Sequence, residues 1–392
     1  MARRVLSLAT LYPNAAAPRF GTFVARSLEA LAARGDWEVT VVNPIGIPPL
    51  ALGRYRPLRG ALVSGVEHGV QVHRPRFTLI PGAGTRNPAA IAKAVLPLAR
   101  RLHGGAPFDL VDAQFFYPDG PAAARIAEAL GLPLSIKARG ADIHYWGAKG
   151  AAKQQILAAG AQAAGLLAVS EALANDMAAL GLPRGKIALH RTGLDRDRFT
   201  PRQYDGLRAV LGAQLGLPLK NGEVLLASVG ALIPRKGQEF AIRALALLHG
   251  ARLLLVGRGE DEAKLRALAQ ELGLAEKVHF LGSLDHAVLP LVLSAADAMV
   301  LPSSSEGLAN AWVEALACGT PLVICDVGGA RELLKDPSAG RLVPRDPAAI
   351  AAAVEDILAD PPSPVQVAEN VADFSWAANA AALADYYERL IA

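Results

Sequence analysis

The sequence predicts an α/β protein made of two doubly wound domains that face each other across a cleft. Three observations carry that expectation. Short, near-continuous apolar runs alternate with amphipathic stretches at helical spacing, the pattern of parallel strands covered by helices on both faces. The pattern occurs in two sets, separated near residues 200–206, where Pro201, Gln203 and Asp205 break the periodicity. At 392 residues the chain also has the length of about two domains of roughly 100–200 residues each. The expected division is 1–202 and 203–373, with a last segment, 374–392, that carries a terminal packing helix. Open sheets of this kind bind at the carboxyl ends of their strands, so the cleft is where a ligand is expected.

The elements follow in order. Residues 4–12 form an apolar run, and after a Pro, Asn and Gly loop ending at Gly21, Thr22 opens TFVARSLEALAA with Phe23, Leu28 and Leu31 at helical spacing. Residues 37–42 read as a strand. The stretch 44–87 is rich in Pro, Gly and Arg and reads as irregular, with a strand at 70–73. Strand-like runs recur at 110–113, 134–137, 165–169 and 187–190, with Ala-rich helices between them such as 122–130 and 171–180. In the second half, strands are expected at 224–229, 252–256, 278–281, 298–301, 322–326 and 341–343. Helices fit between and after them at 238–248, 260–272, 288–295, 309–317, 330–334 and 348–358, with a terminal packing helix at 379–390.

Composition narrows the function. The chain is 52% hydrophobic and 19% charged, enough apolar content for sizeable cores and too much for global disorder. No apolar run reaches 18 residues, so a membrane-spanning helix is not expected, and the Met1-Ala-Arg-Arg start reads as a lead-in to a buried strand rather than as a signal segment. Two cysteines, Cys318 and Cys325, give neither a disulfide framework nor a zinc cluster. A cytoplasmic protein is expected. Residues 1–200 carry 24 Lys and Arg against 13 Asp and Glu, a charge of +11, while the remainder carries −7. The basic half should attract an anionic partner. Zinc-finger spacing, an aromatic strand platform and a basic reading helix are all missing, so nucleic acid is not expected. A phosphate-bearing ligand or an anionic membrane surface fits better, the latter because Arg54, Arg56 and Arg59 cluster with Leu50, Leu52, Tyr55 and Leu58. A peripheral position on the inner face of the membrane is the corresponding expectation.

Two loops carry candidate chemistry. Ser305-Glu306-Gly307-Leu308-Ala309-Asn310 follows a buried strand and opens a helix, where free amides and the helix dipole favour an anion. Glu306 precedes that helix and Glu314 lies about two turns into it. Two carboxylates in an apolar segment suit a ligand rich in hydroxyls, and equally a solvated outer face. Gly230-Ala231-Leu232-Ile233-Pro234-Arg235-Lys236-Gly237 likewise joins a strand to a helix, and its adjacent cations can neutralise a diphosphate. Its spacing is not that of a GxxxxGK[ST] loop. Gly257-Arg258-Gly259 is half a dinucleotide fingerprint, but Glu262 stands where the third glycine should be.

Together these segments resemble a known family. The order GALIPRKG, GRGE, FLG, LPSSSEGLANAWVEALACGTPLV, VGGARELL and GRLVP is similar to the C-terminal domain of glycosyltransferase family 4, of GT-B architecture with two Rossmann-like domains. Glu306 and Glu314 match its pair of glutamates with seven residues between. In the first half, PRFGTFVARSLEAL, KARGADIH, AVSEAL and HRTGLDRDRF resemble the family more loosely. The resemblance implies a retaining transfer of sugar from a UDP- or GDP-sugar donor to a glycan or lipid-linked acceptor hydroxyl, with no metal and no cofactor. It points to members acting in bacterial envelope or exopolysaccharide synthesis. It implies that Arg235 and Lys236 bind the donor diphosphate, that Glu306 contacts the transferred sugar, and that Glu314 accepts from the ribose. Backbone at Gly307, Leu308, Ala309 and Asn310 would meet phosphate or sugar, and Gly21 would let the first loop approach the diphosphate. Base recognition would run through backbone near residues 279–281. Many members place a His-Gly pair where this chain has Arg139-Gly140. Arg139 cannot serve as a base, so the loop of Arg139, Asp142 and His144 is expected to bind acceptor or phosphate, with Asp142 orienting Arg139 or the acceptor hydroxyl and His144 as a substitute for the histidine. A nucleotide-sugar epimerase of the same architecture and a non-catalytic nucleotide-sugar-binding protein are the alternatives. Cys318 reads as a small buried helix residue.

Overall fold

The computed structural model describes residues 2–202, 206–220, 222–285 and 287–392, and every side chain among them except that of Arg54. The chain divides into two compact units, Met1–Gly193 with Trp376–Ala392, and Leu194–Ser375. The division comes earlier than the expected 202/203, because residues after Gly193 bond forward. The Arg196 guanidinium donates to the Val371 carbonyl and the Arg202 amide to the Ser294 hydroxyl. The proposed boundary residue Gln203 lies outside the described residues.

The first unit holds β1 (Arg3–Leu8), β2 (Trp37–Val42), β3 (Ile45–Ile47), β4 (Gly65–Glu67), β5 (Val70–His73), β6 (Arg76–Thr78), β7 (Leu110–Ala113), β8 (Leu134–Ala138), β9 (Gly165–Ala168) and β10 (Ile187–Leu189). Its main sheet runs β10-β9-β8-β7-β1-β2-β5-β4, parallel except where β4 pairs with β5. The strand order reverses at β1 and β7, which pair directly. The first strand stops at Leu8 rather than running to residue 12. Asp119 takes the Thr10 amide at 2.9 Å and its hydroxyl at 2.7 Å, and Asn43 takes the Ala9 carbonyl, so these groups leave the ladder. The stretch 44–87 is more ordered than expected. It contains β3, β4 and β6 and a 3-10 run, Gly53–Ala61, that packs Tyr55 and Leu58 against Ile45, Ile47, Ala51 and Ala61.

The second unit holds β11 (Val224–Val229), β12 (Ala251–Val256), β13 (Val278–Gly282), β14 (Ala298–Leu301), β15 (Leu322–Ile324) and β16 (Gly340–Leu342) in the order β13-β12-β11-β14-β15-β16, all parallel. These strands are apolar because both sheet faces are covered. Leu226, Leu253, Leu255 and Val300 pack with Ile242, Leu245, Leu265, Ile350 and Val354 of the flanking helices. The order reverses between β11 and β14, so the loops after these two strands flank the crevice where such sheets bind ligands.

The terminal helix, Trp376–Ile391, belongs to the first unit, where Leu383 and Tyr387 join Val5, Leu28, Leu31 and Trp37 in one core. A polar clasp fixes its start. The Ser27 hydroxyl donates to Asn379 Oδ1 at 2.6 Å, Asn379 Nδ2 donates to the Arg191 carbonyl at 2.6 Å, and His190 Nε2 donates to the Asn379 carbonyl at 2.9 Å. That last bond leaves His190 Nδ1 to accept from the buried Lys137 ammonium at 2.7 Å. Burial, and then the neighbouring Lys137, hold His190 well below its usual range; burial, and then Arg139, do the same to Lys137. Asn379→Ala should strand the buried Ser27 hydroxyl and free the part-buried Arg191 carbonyl, and cost about 1–3 kcal/mol. The check is the urea midpoint of the first unit's unfolding, and an unchanged midpoint would refute the clasp.

Candidate active site

The second unit's switch point gathers three of the expected site residues. The 3-10 turn Pro234–Lys236 follows β11 and presents Arg235 and Lys236. The loop after β14 presents Glu306, which is 8% exposed. Lys236 Nζ meets Glu306 Oε1 at 2.5 Å, and Arg235 Nη1 meets Glu306 Oε2 at 3.2 Å and also the Ser305 carbonyl. A nearly buried carboxylate needs neutralising partners, and here it has two. The two loops are joined by backbone as well, since the Ser304 amide donates to the Arg235 carbonyl at 2.8 Å. Gly237 sits at φ 72°, and a β-carbon there would stand 2.4 Å from the Pro302 carbonyl oxygen, so only glycine lets the loops approach this closely.

Gly307, Leu308 and Ala309 form the rest of the loop, and the helix Asn310–Ala317 begins with no side-chain cap, its Trp312 amide turning back to the Ala309 carbonyl at 3.0 Å; a helix start of this kind favours an anion. It starts one residue later than expected, and Glu314 lies four residues, just over one turn, into it rather than two turns. The Gly329 amide donates to the Gly307 carbonyl at 2.7 Å and secures the loop from the VGGA segment. Glu314 is half-buried and, among the described residues, its carboxylate has no hydrogen bond or ion pair. Burial pushes it up to about 7. The Gly257-Arg258-Gly259 segment serves the same architecture: the Leu232 amide donates to the Arg258 carbonyl at 3.0 Å, tying it to the cation-bearing loop.

In the first unit, Gly21 precedes the helix Thr22–Ala33 at φ 72°, and a β-carbon there would stand 2.5 Å from the Leu11 carbonyl. The chain's own packing therefore demands glycine at this position. Arg139 lies at the end of β8 with its guanidinium 4.8 Å from the centre of the Phe23 ring. Gln114 orients it: Nε donates to the Gln114 carbonyl and Nη2 to Gln114 Oε1, both at 2.7 Å. Burial brings Arg139 down to about 10, against the pull of Asp142 and Asp112. Asp142 does not hold that guanidinium. Its carboxylate accepts the backbone amides of Phe116, Arg139 and Gly140, so it fixes the loop. His144 stands apart from Arg139's contacts and pairs with Asp176 Oδ2 at 2.9 Å. The sequence reading missed Gln114 and Asp119, the latter buried beside Thr10 and raised to about 7 by its burial. Polar residues flanking two strand ends were the available signal. Among the described residues, no group of three or more His, Cys, Asp or Glu could hold a metal ion. Burial pushes the Cys318 thiol up to about 12, which leaves it a protonated packing residue.

Two doubly wound units, one with paired cations and a glutamate at its switch point, define a protein of GT-B architecture. Two family models match the chain, Glycosyltransferase Family 4 over residues 21–198 and Glycosyl transferases group 1 over residues 216–374. The chain belongs to this glycosyltransferase family. It is 36% identical over 214 residues to the D-inositol 3-phosphate glycosyltransferase of Mycolicibacterium smegmatis, an alignment covering 53% of this chain and 48% of that one. The chain thus spans about half the length of the curated relatives it matches. Among solved structures, sucrose-phosphate synthase from Thermosynechococcus elongatus superposes with a TM-score of 0.80 at 24% identity, covering 99% of both chains. Anabaena HepE in complex with UDP and glucose gives 0.74 at 20% identity, covering 98% of this chain and 99% of that one. These likenesses show the fold.

The raised Glu314 carboxyl has a stability consequence. Its folded value of about 7 lies above the unfolded one, so its contribution is fully present below about pH 4.5 and is lost as pH rises through 7. Glu314→Gln should therefore melt with the wild type at pH 5 and above it at pH 8, by roughly 1–3 kcal/mol in the second unit. Parallel melting curves at both pH values would contradict the desolvated carboxyl.

Proposed function

We propose that this chain transfers a sugar from a nucleoside-diphosphate donor to an acceptor hydroxyl with retention at the anomeric carbon. The observation that carries the reading is the set of Arg235, Lys236 and Glu306 beside an uncapped helix start, with Glu314, whose carboxylate has no partner among the described residues, one turn further on. The donor diphosphate takes the cations and the backbone at Gly307, Leu308, Ala309 and Asn310. Glu306 then accepts from sugar hydroxyls and Glu314 from the ribose diol. As the bond from the anomeric carbon to the diphosphate oxygen breaks, charge grows on that oxygen, where Arg235, Lys236 and the helix start stabilise it without a metal. The acceptor oxygen bonds the same face of the carbon, and its proton passes to the leaving phosphate oxygen. HepE has been solved with UDP and with UDP-glucose, which supports a uridine donor here. The acceptor class is a glycan or lipid-linked glycan of the bacterial envelope or exopolysaccharide kind.

Turnover with a panel of UDP-, GDP- and ADP-sugars tests the reading. Release of diphosphate or transfer of sugar supports it, recovery of an epimer points to an epimerase, and binding without turnover points to a carrier. Arg235→Ala and Lys236→Ala should lower kcat by about 10²-fold or more while donor KM changes less. Wild-type turnover by both at saturating donor would exclude the role. Activity should survive EDTA, and its loss would overturn the metal-free step. Glu314→Ala should weaken donor binding by roughly 1.5–3 kcal/mol in a folded protein, read by calorimetry.

We place the enzyme at an anionic membrane surface, peripherally on the cytoplasmic side. No helix among the described residues is long and apolar enough to cross a membrane. Leu50 and Leu52 are 77% and 73% exposed beside the exposed Arg56 and Arg59, and each such cation adds about 1 kcal/mol near anionic lipid. Tyr55 and Leu58 pack inward and drop out of the patch, and the side chain of Arg54 lies outside the described set. Full-length protein should float with anionic vesicles at low salt and lose that binding at high salt or on Arg56→Glu with Arg59→Glu. Equal flotation of wild type and variant, or none by either, would make the enzyme freely soluble.

A further inference from the structure

The loops that carry the cations and Glu306 are braced by a residue outside both. Arg345 follows β16, and its guanidinium Nε donates to the Pro302 carbonyl at 2.9 Å while Nη2 donates to the Pro234 carbonyl at 3.0 Å. The same guanidinium lies 4.7 Å from the centre of the Phe240 ring, on the helix that follows the cation loop. Pro302 is buried at the head of the Glu306 loop, and Pro234 opens the turn that presents Arg235 and Lys236. A planar fork satisfies two carbonyls at a fixed separation, which an ammonium on a flexible stem cannot do. Gly237 is part of the fit, since a β-carbon there would stand 2.8 Å from Arg345 Nη2.

The geometry points to Arg345 as a positioning residue of the donor site, one that sets the spacing of the Arg235–Lys236 turn from the Glu306 loop before the diphosphate arrives. The inference rests on the donor reading above. Arg345 acts through the two loops, so its loss leaves every diphosphate-binding group in place but no longer held at one spacing.

The test uses full-length protein, UDP as calorimetric probe and UDP-glucose as turnover substrate. Arg345→Ala should lower UDP affinity and kcat each by about 5–20-fold with a retained cooperative melt. Arg345→Lys, which keeps the charge and can satisfy one carbonyl at a time, should stay below half of wild-type kcat. Millimolar guanidinium ion should restore Arg345→Ala toward wild type and leave Lys236→Ala unrescued. If Arg345→Ala melts early, the Lys variant decides: weakened UDP binding with an unchanged melt is required. Wild-type binding and turnover by a folded Arg345→Lys or Arg345→Ala, beside an impaired Lys236→Ala, overturns the positioning role alone. Unchanged UDP binding by Lys236→Ala as well overturns the donor reading on which it rests.

Discussion

Glu306 is nearly buried, so its charge has to be neutralised where it stands, and that requirement organises the second unit's binding face. Lys236 and Arg235 close on it from the loop after β11, and their loop must lie against the loop after β14 for the contacts to form. The positive φ of Gly237, the Ser304 amide on the Arg235 carbonyl and the Gly329 amide on the Gly307 carbonyl all serve that approach. Two cations against one carboxylate leave a surplus positive charge beside the uncapped start of a helix, an arrangement that favours an anion.

The first unit meets a similar problem differently. Lys137, Asp112, Asp119, Asp142 and His190 are all buried, and none of them is held in an ion pair: their hydrogen bonds run to polar side chains and backbone, and Lys137 donates to the other base, His190. Burial raises all three aspartates and depresses the two bases, so each is biased toward its neutral form. A buried polar layer of this sort specifies which strand ends and which helix meet, since an incorrect pairing would leave these groups without partners.

The strands were legible in the sequence because burial on both faces makes them apolar throughout, and the helices between them because one face is polar. The stretch 44–87 was not, because its added strands are three residues each and its Gly, Pro and Arg content hides any period. At the site, Arg235, Lys236 and Glu306 were readable as chemistry on loops, but their direct pairing was not, since it depends on how far apart β11 and β14 hold those loops. The helix after Ala309 was placed early because Leu308 and Ala309 continue its apolar pattern while sitting in the loop. Arg345 gave no local signal: a single arginine after a strand looks like solvated surface until its acceptors are known. In the sequence Asp142 reads as orienting Arg139 or the acceptor hydroxyl; in the structure the preference of a short carboxylate for nearby backbone amides gives it the amides of Phe116, Arg139 and Gly140 instead of the Arg139 guanidinium.

The path of the chain makes the second unit an insertion into the first. Residues 194–375 leave and return, and the two points they separate adjoin: a β-carbon on Gly193 would stand 2.2 Å from the Trp376 ring. Topologically the first unit is one linear chain cut at a single place, with the two lips of the cut in contact. Excising the insert and joining those lips through a short bridge would restore a continuous polypeptide for the first unit without stretching it, and the excised stretch is itself a single unbroken segment. A gene encoding such a protein can therefore exchange one whole unit by a single cut-and-replace event, leaving the terminal helix and the strands it covers untouched.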